Sequence, residues 1–341
     1  MILDNILKDF GLGIDQFHVE PINAGYINQT YKLTSTKSYI LQRLNRNVFK
    51  KPETVAGNIR AAADYIKQHH PDYLFLSGIK TTSGKEMSYD AEGFPWRLFP
   101  YIANTITINK VETETEAYNA ASGFARLTRM LEGVEASLFE PTIDRFHDLK
   151  LRYQQFEDAL ANAAADRKEA AADAIAACQR YIYLVNRYDQ LIVSGDLKLR
   201  IMHNDTKINN ILFDATTRKD VVVIDLDTLM PGYFIYDLGD MIRTFVSPVD
   251  EEEKDLSKIK VRQNIYDALV KGYLSEMNAI LSDKEKSSIE FSGQMMTYIM
   301  ALRMLADFLN GDIYYQTTYP KQNLIRARNQ LRLLDLLTGA G

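Results

Sequence analysis

The stretch His203-Asn-Asp205-Thr-Lys-Ile-Asn-Asn210 sets an aspartate five residues ahead of an asparagine, and fifteen residues beyond that asparagine an apolar run, Val-Val-Val-Ile, ends in Asp225-Leu-Asp227. These are residue types for phosphoryl transfer. An aspartate on a short loop can take the proton of an attacking hydroxyl. An asparagine and a second aspartate offer the hard oxygen ligands that hold a magnesium ion against phosphate groups. Ile211-Leu-Phe213 has the pattern of a strand leaving such a loop, and Val221 to Ile224 that of the returning strand. A hairpin of that size puts Asn210 and Asp225 at the same end, as two ligands of one cation require. The bland alternative makes Asp205 and Asp225 turn and strand-end carboxylates satisfied by backbone N–H groups. Against it stand the second aspartate and the Tyr236-Asp237-Leu-Gly-Asp240 segment that opens a helix just downstream.

The elements that must position these residues change character near residue 103. Before it come short β-like runs at 17–22, 29–33, 39–44, 79–82 and 94–102, interrupted by one helix from Pro52 to about Gln68 with proline at its first position. After it, helical patterns dominate at 112–132, 145–192, 253–280, 283–311 and 320–338. The Ala-rich run from Ala159 to Ala177 strongly favours helix, and the acidic run Asp250-Glu-Glu-Glu253 suits a helix start. The expected fold class is α+β and bilobal: a small β-rich N-lobe over 1–102 and a large, mainly helical C-lobe over 103–341. The carboxylates belong to the second lobe, with a ligand cleft at the junction.

Composition narrows the alternatives. At 341 residues the chain exceeds one ordinary core, and 46% apolar with 25% charged residues describes a soluble globular protein. A net charge of −5 gives no electrostatic reason to expect nucleic acid or an anionic membrane surface. One cysteine, Cys178, precludes a disulfide within the chain, and the five histidines have no metal-ligand spacing. The N-terminus is amphipathic and carries acids, unlike a signal peptide, and no run approaches membrane-spanning length. The expectation is a cytoplasmic protein with no obligate protein partner.

With these motifs in place, the chain resembles the aminoglycoside-phosphotransferase and choline-kinase-like small-molecule kinases of the protein-kinase-like superfamily, and more narrowly the N-acetylhexosamine 1-kinases. The resemblance runs through Asn23-Ala-Gly25-Tyr26-Ile-Asn28 as a nucleotide loop, Tyr39-Ile-Leu-Gln42-Arg43 as the third strand and Trp96-Arg-Leu-Phe-Pro-Tyr101-Ile102 as the hinge. It continues through the Asp205 and Asp225 motifs to a tail, Arg303-Met-Leu-Ala-Asp307-Phe-Leu-Asn-Gly-Asp312-Ile-Tyr314-Tyr315. The catalytic-loop motif belongs to the whole superfamily, whereas only the nucleotide loop and tail point to the narrower group.

The resemblance implies ATP and Mg²⁺ as cofactors and a small-molecule sugar as acceptor. Asp205 would be the catalytic residue, Asn210 and Asp225 the metal ligands. Gly25, Asn28, Gln42, Tyr101 and Ile102 would contact the nucleotide, the hinge backbone reading adenine between Leu212 and Ile224. Tyr26, Asp205, Asp227, Arg303 and Tyr314 would contact the acceptor, with Asp227 equally suited to a second magnesium. His203 is expected to pack the loop, and Asp237 to accept loop N–H groups. Two departures stand out. The nucleotide loop has one glycine where phosphate-cradling loops use several. The third strand has Gln42 where related kinases place a cation, so either Gln42 serves as a neutral donor or Arg43, expected on the opposite face, takes over. Both departures suit a catalytically dead nucleotide-binding module, whereas the intact Asp205, Asn210 and Asp225 set argues for an enzyme. In the tail, Arg303 and Asp307 have the spacing of an intrahelical salt bridge, the bland reading of that segment.

Overall fold

A computed structural model describes residues 2–22, 28–46 and 48–340. The expected contacts of Gly25 and Tyr26 therefore lie outside the described residues. A short helix, α1 (Ile2–Asp9), precedes strands β1 (His18–Ile22), β2 (Gln29–Thr34) and β3 (Tyr39–Arg43); helix α2 (Pro52–His69) follows, then β4 (Ser88–Tyr89) and β5 (Pro95–Pro100). The five strands form one antiparallel sheet in the order β1-β2-β3-β5-β4. Of the run at 79–82, only Ile79 pairs with the sheet, bridging Leu98.

The two faces of this sheet differ. Ile6, Leu7 and Phe10 pack with Leu33, Leu41, Trp96 and Leu98 into a small core that α1 closes. By contrast α2, whose buried Val55, Ile59, Ala62 and Ile66 recur at helical spacing, joins the large core of the helical lobe. Asn58 secures it there, donating to the carbonyl oxygens of Leu229 and Glu140 at 2.9 and 2.8 Å. The helix of the small lobe is thus anchored to the large one.

The large lobe begins after β6 (Thr105–Ile106) with α3 (Glu114–Met130), which opens on a capping box: Thr113 accepts the Glu116 N–H and Glu116 accepts the Thr113 N–H. The pattern at 145–192 resolves into α4 (Leu149–Asn162), α5 (Ala165–Ala170), α6 (Ala172–Arg180) and α7 (Ile182–Val193). Ala163 and Ala164 are extended, with ψ 147° and 148°, so the chain turns despite strong helix propensity. Those turns let α4 and α6 each pack on a later helix, α11 (Ile289–Leu309); tertiary burial outweighs the few tenths of a kcal/mol per residue that propensity supplies.

Two small sheets carry the loop chemistry. Strand β7 (Arg200–Met202) pairs with β10 (Met230–Gly232), and β8 (Ile211–Asp214) pairs with both β6 and β9 (Asp220–Val223). Helices α8 (Phe234–Phe245), α9 (Gln263–Met277), α10 (Asp283–Lys286) and α12 (Gln322–Leu337) complete the lobe around α11. The acidic run at 250–253 opens no helix. Glu251 turns inward to Arg243 and Arg326, and Glu252 accepts from Gln322 at 2.9 Å, so ion pairing fixes this segment as a connector. Close helix approach depends on small residues: a Cβ on Gly239 of α8 would lie 2.2 Å from the Ser292 carbonyl oxygen on α11. Among the described residues, no helix is long and apolar enough to cross a membrane.

Candidate active site

The β8–β9 hairpin sets Ile211 opposite Val223, and the Ile224 N–H donates to the Asn210 carbonyl at 2.8 Å. Asn210 and Asp225 therefore begin and end one hairpin, on the side from which the loop at 203–207 projects. Asp225 itself adopts the left-handed backbone region, φ 57° and ψ 55°, a strained turn that aspartate tolerates better than most residues. Asp225 remains accessible from the cleft.

The loop that presents Asp205 is held from below. Asp237, in the first turn of α8, accepts the N–H groups of His203 at 3.0 Å and Asn204 at 2.7 Å. Asp240, one turn later, accepts the Thr206 N–H at 3.0 Å and is itself paired to Arg243 at 2.8 Å. Burial pushes the Asp237 carboxyl up to about 6 in spite of those N–H bonds. The Asn204 side chain donates to the carbonyls of Met202, Thr228 and Met230, which ties the loop to both strands of the β7–β10 pair and fixes Asn204 at φ 64°.

His203 has both ring nitrogens engaged. Nε2 faces the Ile224 carbonyl at 2.9 Å and must donate, while Nδ1 accepts the Asp205 N–H at 3.2 Å. This neutral tautomer is a packing element between hairpin and loop, edge-on to Phe124. Asp205 is half-buried, with the Lys207 ammonium 3.1 Å from its carboxylate. Enclosure opposes ionisation of Asp205, but the charge and hydrogen bond of Lys207, together with the other nearby charges, outweigh it and hold the carboxyl below its usual range. Asn210 Nδ2 donates to the Asp205 carbonyl at 2.9 Å and reaches its carboxylate at 3.3 Å, which turns the Asn210 amide oxygen away.

Enclosure in the cleft raises the Asp225 carboxyl to about 7, with the charges of Asp227 and Asp205 adding to the effect. Two of these three carboxylates are already engaged, Asp205 by Lys207 and Asp227 by Arg97 and Asn28, which leaves Asp225 as the unpaired one among the described residues. No group of three or more His, Cys, Asp or Glu side chains that could hold a metal ion occurs among the described residues.

Across the cleft, the structure places the predicted nucleotide contacts unevenly. Asn28 donates to Asp227 at 2.9 Å and accepts the Asn45 N–H at 3.0 Å. Gln42 accepts two N–H groups from Arg97, at 2.9 and 2.6 Å, and donates to Thr30. Arg43 is removed from the cleft: it pairs with Asp90 and Glu92 at 3.2 and 2.9 Å and stacks on Phe94, because strand alternation turns it to the other face. Glu53 of α2 accepts from Tyr89 and pairs with no cation among the described residues. At the hinge, the Tyr101 N–H donates to the Ser38 carbonyl and the Ile102 carbonyl accepts from the Thr105 hydroxyl.

In the tail, the Arg303–Asp307 salt bridge does not form. Asp307 instead accepts the N–H groups of Ile313, Tyr314 and Tyr315 at 3.1, 2.8 and 2.9 Å, and Asn323 adds a fourth donor. This carboxylate shapes the turn that presents Tyr314, exposed, and Tyr315. Arg303 is left among the rings of Phe146, Tyr315 and Tyr314, at 5.4, 5.6 and 6.0 Å from their centroids, with no carboxylate partner among the described residues. Arg326 stacks on Tyr315 and pairs with Glu251, whereas Arg328 lies on the far surface against Asp173.

Sequence reasoning missed Arg97, His147 and Arg152. His147 Nε2 donates to the Asn204 carbonyl at 2.8 Å and its ring packs on Phe146, so it joins the Asp205 loop to the Arg303 wall. Burial pushes its pKa down to about 4. Arg152, lowered to about 10 by burial and by the nearby Arg303, donates to the Phe146 carbonyl. His147 and Arg152 sit in no motif; Arg97 lies within the hinge segment, where a cation in an otherwise apolar strand, Trp96-Arg97-Leu98-Phe99, was the one available signal.

The fold is kinase-like, with a small antiparallel sheet lobe and a large helical lobe. The chain belongs to the phosphotransferase enzyme family, whose model it matches over residues 18–268. Among solved structures, the chain is similar to a microcompartment-associated aminopropanol kinase (15% identity, TM-score 0.65, 99% of this chain and 96% of that one). It is likewise similar to the amicoumacin kinase hAmiN in complex with AMP-PNP, Ca²⁺ and amicoumacin (16%, 0.62, 94% and 88%). A third is the choline kinase of Cryptosporidium parvum (13%, 0.57, 96% and 91%).

Proposed function

We propose that this protein transfers the γ-phosphoryl group of ATP to the anomeric hydroxyl of an N-acetylhexosamine, giving the sugar 1-phosphate and ADP. The observation that carries the acceptor assignment is the wall around Arg303. A guanidinium without a carboxylate partner among the described residues, near a second, half-buried guanidinium on Arg152, repels choline, amino alcohols and aminoglycosides, which all bring positive charge. It suits an amide carbonyl, and the flanking Tyr314, Tyr315 and Phe146 rings suit the C–H faces of a sugar.

In this reading the N-lobe, residues 1–102, holds ATP with Asn28 and the Gln42 strand, and with adenine at Tyr101 and Ile102. The C-lobe, residues 103–341, holds the acceptor and the metal. The complexes of similar kinases with AMP-PNP or ADP favour the nucleotide assignment. Asn210 and Asp225 would hold Mg²⁺, which when bound neutralises phosphate charge and aligns the γ-phosphate. The acceptor oxygen attacks phosphorus, the bond to the bridging oxygen of ADP breaks, and the hydroxyl proton passes to Asp205. Lys207 keeps Asp205 ionised but also makes it a weak base. A weak base is adequate because positioning supplies most of the rate in phosphoryl transfer, and an anomeric hydroxyl is more acidic than an ordinary alcohol.

The test is ADP release from Mg-ATP with N-acetylglucosamine, N-acetylgalactosamine, glucose, galactose, choline and homoserine as acceptors. Turnover with the N-acetylated sugars, abolished when the anomeric hydroxyl is methylated, is the expected result. Preference for choline or homoserine would contradict the acceptor assignment.

A further inference from the structure

The third strand of the sheet carries an amide, Gln42, and a buried cation stands directly across from it. In the β3–β5 register Gln42 faces Arg97, which is only 5% exposed. The Gln42 amide oxygen takes Arg97 Nε and Nη2 at 2.9 and 2.6 Å, fixing the plane of the guanidinium. Its third nitrogen, Nη1, points across the cleft to the Asp227 carboxylate at 2.5 Å. The other oxygen of that carboxylate accepts from Asn28 at 2.9 Å. Asp227 is two residues from Asp225.

Two donors of the small lobe, one a guanidinium, therefore converge on an anion, and that anion belongs to the opposite lobe. We propose that Arg97 is the residue that binds the nucleotide's phosphates in this protein, oriented by Gln42 and covered by Asp227 until nucleotide enters. The inference rests on the reading of the cleft as an ATP site. The two strand positions make sense only together: a lysine at 42 would set an ammonium against the Arg97 guanidinium, whereas glutamine's amide oxygen accepts from it. The planar fork suits phosphate oxygens, and exchange of one oxyanion for another leaves the guanidinium paired throughout. Arg43, engaged by Asp90 and Glu92, is not available for this role.

A purely structural ion pair between lobes is the competing account, and ligand affinities separate the two. Calorimetric titration with ADP and with adenosine, both in EDTA, is run on the wild type and on R97Q, R97K and R43Q. R97Q is expected to weaken ADP by about 10- to 100-fold, the worth of a hydrogen bond to a charged group, while adenosine binding stays unchanged and reports an intact fold. R97K should recover part of the loss, and R43Q should match the wild type for both ligands. Equal ADP affinity in R97Q and the wild type, parallel losses of ADP and adenosine, or no recovery in R97K would overturn the inference. Failure of the wild type to bind either ligand would overturn the ATP-site reading itself, and this inference with it.

Discussion

The Asp237 carboxylate holds Asn204 by its backbone N–H at 2.7 Å, and Asn204 is the residue that enters the left-handed region, φ 64°, immediately before Asp205. The loop's shape thus depends on an acceptor thirty-three residues away on α8. D237A would leave two buried N–H groups, those of His203 and Asn204, without partners. The expected cost is about 2–4 kcal/mol of unfolding free energy, from urea denaturation, with a fall in kcat exceeding any rise in nucleotide KM.

Asp225 gives a pH dependence with a definite sign. With its carboxyl raised to about 7, the metal-free site is partly protonated at neutral pH, and a divalent cation must displace that proton. Magnesium affinity in the presence of ADP should rise as pH goes from about 6 to 8 and then level. Calorimetry in buffers of different ionisation enthalpy should detect proton release at pH 6.5. The D225N variant should lose both the metal affinity and the proton release.

His147 sets a limit at the acid end. Its ordinary value of 6.5 is depressed to about 4 by burial, so the folded state resists a proton that the unfolded chain accepts. Its contribution to stability is complete above 6.5 and is lost as pH falls towards 4. Between pH 7 and 4.5 this one group should remove about 2–3 kcal/mol, and H147Q should show a shallower acid loss over that window.

Arg303 should separate acceptor from nucleotide binding. R303Q is expected to raise the acceptor KM by about tenfold or more, with the KM for ATP unchanged, because the guanidinium lines the ring cluster of the tail and not the β-sheet lobe. Improved turnover of choline in R303Q would support charge repulsion as the basis of selectivity, since the repelling group is gone.

Much of this was legible in the sequence. The β8–β9 hairpin, the loop with its His203 packing role and the small sheet beside a helical lobe follow from local patterns that short-range physics determines. The breaks inside 145–192 were not legible, because alanine-rich sequence favours helix at every position and only packing on α11 decides where the chain turns. The partners of Asp307 and Glu251 were hidden for a related reason. Helical spacing offers each an i to i+4 or helix-start explanation, while the actual donors come from a folded-back turn and from α8 and α12. Arg97 stayed unassigned because a cation between apolar neighbours does not say what it faces until strand register pairs it with Gln42.

The most direct test of the account is D205N, which keeps the shape of the side chain and removes its capacity to take a proton. Its kcat with Mg-ATP and the preferred sugar should fall by about 10²–10⁴-fold, while Mg-ADP affinity remains that of the wild type. A variant that retains a kcat near the wild-type value at saturating substrates would contradict Asp205 as the residue that receives the acceptor's proton.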